Sequence, residues 1–139
     1  MLKLTKGMME INDQLLDELL SQAETNERRR VNQDLRNGDG DTSQRMLNAL
    51  QPGTHVPIHR HTTTSETVIL LRGHVTELFY NDKGVECGRY DLNSAKGVYG
   101  VQVPAGMWHT LVVHEPSVII EMKDGAYVPI TMDDIWQYE

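Results

Sequence analysis

From Ser43 onward the sequence breaks into short β-like runs separated by turn signals, and this spacing limits the fold more than any other feature. The runs fall at 44–50, 55–59, 67–72, 75–80, 85–91, 98–103, 110–114, 118–123 and 127–130, nine in all. Short strands at such intervals predict an all-β sandwich or barrel. Asn81-Asp82-Lys83-Gly84 reads as a hairpin turn between two of them. Cys87 is the sole cysteine, so no disulfide within the chain can staple the sheets. A lone cysteine without a secretory leader also predicts a soluble protein of the reducing cytoplasm. Burial must hold the fold, and 139 residues suffice for one domain with a real core.

Upstream of the β-like runs, Ile11, Leu15, Leu16, Leu19, Leu20 and Ala23 recur at three and four residues. That period predicts an amphipathic helix over about 12–25, capped by Asn12 and packed on the barrel or on a partner subunit. The stretch Asn37-Gly38-Asp39-Gly40-Asp41 predicts a turn, and it lacks the closing glutamate of a calcium loop. The chain therefore divides into a helix with its connecting segment over 1–42 and a β-domain over 43–139, closed by a short helix after Thr131.

The chemistry is concentrated between Gly53 and Gly73. His59 and His61 are one residue apart, so on a strand both imidazoles leave the same face and can chelate one ion. Glu66 follows after the polar run 62–65, which can turn the chain and return a carboxylate to the imidazoles. A fourth ligand must come from elsewhere, and Pro104-Ala105-Gly106-Met107-Trp108-His109 offers one directly after a turn. Three imidazoles and a carboxylate suit iron, nickel, zinc, copper or manganese rather than calcium or magnesium. The set leaves room for water or substrate.

Gly53, His59, His61, Glu66 and Gly73 match the first cupin motif at every spacing, and Pro104, Gly106 and His109 match the core of the second. The chain thus resembles the cupin superfamily. The second motif departs in its leading glycine, displaced to Gly97 or Gly100, and in Val113 at the trailing asparagine position; neither removes a ligand. The runs QRMLNALQPGTHVPIHRH, RRRVNQDL and EMKDGAYVP further resemble the WbuC family of small bacterial cupin metalloproteins, from about Arg28 onward. The resemblance implies a double-stranded β-helix, or jelly-roll barrel, with an N-terminal amphipathic helix. It also implies one divalent metal (iron, nickel, zinc or manganese) on His59, His61, Glu66 and His109, and a sugar-related ligand, since such proteins often accompany surface-polysaccharide genes.

Other residues are candidates for the ligand. His55 shares strand parity with His59 and His61 but lies too far along an extended strand to chelate the same ion. Within the cluster Arg28-Arg29-Arg30, Arg30 is a candidate to hold an anionic group, and Lys123 and Tyr127 join His55 and Arg30 as expected ligand contacts. His55, Glu121, Lys123 and Tyr127 are the candidate acids and bases. His74 and His114 read as surface residues, and Trp108 must point away from His109 if its strand is regular. A formal net charge of −7, with 20 acidic and 13 basic residues, repels phosphate backbones and anionic membranes, so nucleic acid and membrane are not expected partners. A homodimer and a small-molecule ligand are. Two function classes stay open. One is a metal-dependent isomerase, epimerase or iron-dependent dioxygenase; the other is a sugar-binding accessory module without turnover.

Overall fold

The computed structural model describes residues 8–137. Helix α1 (Asp13–Thr25) opens where expected, with the Leu15 N–H donating to the Asn12 side chain at 3.0 Å. Its apolar stripe of Leu15, Leu16, Leu19, Leu20 and Ala23 is buried against Leu47, Ala49 and Val118 of the chain's own sheet, while Ile11 stays outside. The helix's apolar face is spent within the chain, so pairing of two chains would need another surface.

Eight strands follow: β1 (Arg30–Asp34), β2 (Arg45–Leu50), β3 (Glu66–Arg72), β4 (His74–Tyr80), β5 (Glu86–Asn93), β6 (Gly100–Val103), β7 (Trp108–Val113) and β8 (Ser117–Lys123). They form a five-stranded sheet in the order β1-β2-β8-β3-β6 and a three-stranded sheet in the order β5-β4-β7. All ladders are antiparallel. The inner faces meet in a core of Leu50, Val68, Leu70, Val75, Phe79, Leu92, Val103, Val113 and Ile119. No continuous ladder joins the sheets among the described residues, so this is a two-sheet sandwich and not the closed barrel expected from the sequence.

Seven of the nine expected runs are strands. Run 55–59 contains Pro57, which has no N–H for a ladder; only His59 pairs, through isolated bridges to His109 and Ile135. Run 127–130, interrupted by Pro129, is irregular, and the short helix expected after Thr131 is a 3₁₀ helix, Met132–Asp134. Thr131 takes the cap position but makes no side-chain cap bond. In the other direction, β1 lies upstream of Ser43, within the segment read as a connection, and pairs along its whole length with β2. Between β3 and β4, Gly73 has φ +100 and a side chain there would collide with Ser117 and with the Pro116 carbonyl at 2.6 Å. Only glycine fits where these strands cross so closely. No helix among the described residues is long and apolar enough to cross a membrane.

Candidate metal centre

The turn after β6 is laid against the His59 segment by backbone bonds. The His59 N–H donates to the His109 carbonyl at 3.0 Å, the His109 N–H returns a bond to the His59 carbonyl at 2.8 Å, and the Gly106 N–H donates to the His61 carbonyl at 2.8 Å. Gly106, at φ +80, supplies the left-handed residue the turn needs. Three imidazoles from two distant segments thereby converge. Ring centroids are 4.3 Å apart for His59 and His109, 5.2 Å for His59 and His61, and 5.7 Å for His61 and His109. Donor atoms of the three lie within 4.8 Å of one another, close enough to share one ion.

Glu66 opens β3 directly beneath them. Its two oxygens stand 3.7 Å from His61 Nε2 and 3.7 Å from His109 Nε2, too long for hydrogen bonds. Across the ladder Glu66 pairs with Lys123, whose ammonium is 3.8 Å from Glu66 Oε2 and donates to Gln44 Oε1 at 3.3 Å.

Whether these residues fit a metal is decided by where their protons are. His59 Nδ1 is 2.8 Å from the Pro57 carbonyl and His109 Nδ1 is 2.8 Å from the Met107 carbonyl. A carbonyl only accepts, so both Nδ1 atoms carry a proton, which leaves Nε2 as the atom each ring can turn to a metal, as ligating histidines do. His109 Nε2 and Glu66 Oε2 are buried without a hydrogen-bond partner, in residues 3% and 4% exposed. Leaving such groups unpaired is costly, and a cation between them satisfies both. Burial, reinforced by His109, lowers the His59 pKa to about 4, and burial with Lys123 lowers His61 to about 4. Both rings are therefore neutral at pH 7. Burial alone would raise the Glu66 carboxyl, but His109 and Lys123 outweigh it and the net direction is down. The residues fit a divalent transition metal.

Two openings flank the cluster. On the His59 and His109 side lies a cavity of about 140 Å³ whose polar wall is Arg30, Asn48, Glu77 and Glu121. On the His61 side a smaller cleft of about 40 Å³ is bounded by Lys123, Gln44, Arg60 and the segment around Pro129. Arg30 is anchored there by donating to the His55 carbonyl at 2.7 Å. Burial lowers its pKa, Arg28 adds to that, and Glu121 opposes it.

Of the expected ligand contacts, Arg30 and Lys123 reach the two openings, as does Glu121 among the candidate acids. His55 is exposed and contributes its carbonyl to Arg30, not its ring to the cavity wall. Tyr127 is exposed and lies under the Arg36 guanidinium, 5.7 Å from ring centroid to Cζ, outside both openings. Trp108 points away from the cluster as expected, edge-on to Trp136 at 5.1 Å and beneath Arg60 at 4.4 Å.

Sequence reasoning passed over Glu77. It sits on β4 between Val75 and Phe79, both in the core, so strand parity alone turns it inward. It is 1% exposed, one oxygen has no partner, and burial raises its pKa to about 8. Glu121 is raised to about 7 by burial and by the charge of Glu66. A second group of histidines, His74 and His114, was read as plain surface; the structure stacks them beside Asp91, with ring centroids 4.4 Å apart.

A family model, "Domain of unknown function (DUF6016)", matches residues 11–92, more than half of the chain. The chain belongs to the DUF6016 family. No curated protein matches it. Among solved structures it is similar to the oxalate decarboxylase of Lactobacillus farciminis, determined as a formate complex, with 17% identity, TM-score 0.54, and 66% of this chain aligned to 27% of that one. CapF, determined with an inhibitor, is 21% identical with TM-score 0.56 over 70% of this chain and 32% of its own. The oxalate decarboxylase of Bacillus subtilis, described with Mn(II) centres, is 16% identical with TM-score 0.53 over 69% of this chain and 24% of its own. This DUF6016 chain spans a quarter to a third of each of these three proteins. At such identities the likeness shows the fold, which is that of the cupins.

Proposed function

We propose that the protein is a metal-dependent cupin enzyme in which His59, His61, Glu66 and His109 hold one divalent transition metal and a small carboxylate or sugar acid binds at its open side. The observation that carries this reading is the pair of buried donors without a hydrogen bond, His109 Nε2 and Glu66 Oε2, beside two imidazoles kept neutral. When bound, the ion supplies Lewis-acid polarisation of a ligand oxygen. Three neutral imidazoles and one carboxylate leave it about one unit of positive charge, which favours an anionic ligand.

The chain's own residues would do the rest. Arg30, on the wall of the larger cavity, would hold a carboxylate through its guanidinium. Lys123 adds positive charge from the opposite opening. Glu77 and Glu121, held at about 8 and about 7, are the groups able to give or take a proton near neutral pH. Their presence favours turnover over passive binding. Resemblance to the WbuC family supports a ligand from surface-polysaccharide metabolism.

Calorimetry of metal-loaded protein with a uronic acid and with the parent neutral sugar tests this, with His59→Ala as control. The acid is expected to bind the loaded wild type only. Equal binding to the His59→Ala protein, or preference for the neutral sugar, defeats the reading.

A further inference from the structure

We propose that His74, Asp91 and His114 form a second binding site for a divalent transition-metal ion, on the outer face of the three-stranded sheet. Val75, Glu77 and Phe79 turn inward along β4, so His74 and Thr76 project from the other side. The His114 N–H, just past β7, donates to the His74 carbonyl at 3.0 Å, which sets the two histidines side by side on neighbouring strands. On the other flank of β4, Asp91 of β5 lies directly opposite Thr76. β4, β5 and the residue just past β7 thus each deliver one donor, and the three donor atoms lie within 4.8 Å of one another. Because the ladder fixes every point of attachment, little backbone ordering is left for binding to cost.

Without an ion the donors satisfy each other. His74 Nε2 is 2.7 Å from Asp91 Oδ1, and the Thr76 hydroxyl donates to the same oxygen at 2.7 Å. That hydroxyl proton being used, His114 Nε2–H must donate to Thr76 Oγ1, also at 2.7 Å. The bonds from Thr76 and His74 hold the Asp91 carboxyl below its ordinary pKa, so it is ionised. Binding would move each imidazole proton from Nε2 to Nδ1 and open the His74 to Asp91 contact to about 3.4 Å, the spacing of two ligands on one tetrahedral ion. Thr76 keeps its bond to Asp91 and steadies the carboxylate. Two imidazoles and one carboxylate select zinc, nickel or copper over calcium or magnesium. Water takes the remaining positions, since His114 and Asp91 side chains are 41% and 46% exposed.

Zinc titration of metal-free protein, followed by calorimetry and native mass spectrometry, tests the site independently of what the central cluster binds. Wild type is expected to take two equivalents, His109→Ala one, and His74→Gln and His114→Gln one each. In the His109→Ala protein, zinc is also expected to shift the ring NMR signals of His74 and His114. His114 is exposed at a strand end, so that variant should keep the wild-type circular dichroism and melting profile. A zinc stoichiometry that does not fall by one equivalent from wild type to both His74→Gln and His114→Gln overturns the proposal. So does zinc leaving both ring signals of the His109→Ala protein unmoved.

Discussion

The two histidine clusters of this molecule have nearly the same side chains and opposite circumstances. Inside the sandwich, the protons of His59 and His109 are tied to backbone carbonyls, and His109 Nε2 and Glu66 Oε2 are buried without hydrogen bonds. On the outer sheet, His74, His114, Asp91 and Thr76 complete one another at 2.7 Å and water reaches them. The difference teaches that ligand identity alone does not set affinity. What an ion must displace matters as much. Inside it would displace little and relieve buried groups without hydrogen bonds; outside it would have to break a finished network, so the inner site is expected to be the tighter.

The hardest test of that contrast is to remove an inner ligand. His109→Ala should weaken the central metal by at least about 100-fold, roughly 2.7 kcal/mol, while leaving the outer cluster intact, as metal content after dialysis will show. Next is Glu77→Gln, which probes the cost of keeping acids in the dry interior. Native Glu77 holds its proton up to about pH 8, whereas an unfolded glutamate loses it near its ordinary value of 4.5. Between these the native state binds the extra proton, so stability falls as pH rises through that window. The variant should therefore gain on the order of 2 kcal/mol at pH 8 and close to nothing at pH 5 in urea unfolding of metal-free protein. A smaller effect is expected from Arg30→Ala, about tenfold weaker uronic acid binding, or 1.4 kcal/mol, with metal content unchanged. Smallest is Thr76→Val, which removes the hub of the outer network alone. It should cost about 1 kcal/mol of stability and leave the central site as it was, and thermal melts with metal analysis would check both.

The sequence made the inner cluster legible because its ligands lie in motifs whose glycines have a visible reason, as at Gly73 and Gly106. Strand positions were legible wherever apolar residues alternate. They failed at Pro57 and Pro129, where a missing N–H stops the ladder, and at β1, whose inward Gln33 is 1% exposed yet polar, so it hides the alternation. Glu77 could have been found by strand parity. The pairing of His74 with Asp91 and His114 could not, because it depends on which strands are neighbours, and the order β5-β4-β7 is set by the whole sandwich.

Arg30 stands on a strand that has a partner on one side only. β1 is the rim of its sheet, fastened by β2 along one edge and by α1 across its back. Such a rim opens at lower free energy than β3, the strand of Glu66, which is paired on both sides. Arg30 and Glu66 therefore line one cavity from parts of the fold with different lifetimes. Entry to the cavity then needs no dedicated lid, and a ligand gripped by Arg30 would slow amide exchange in β1 and α1 more than in β3.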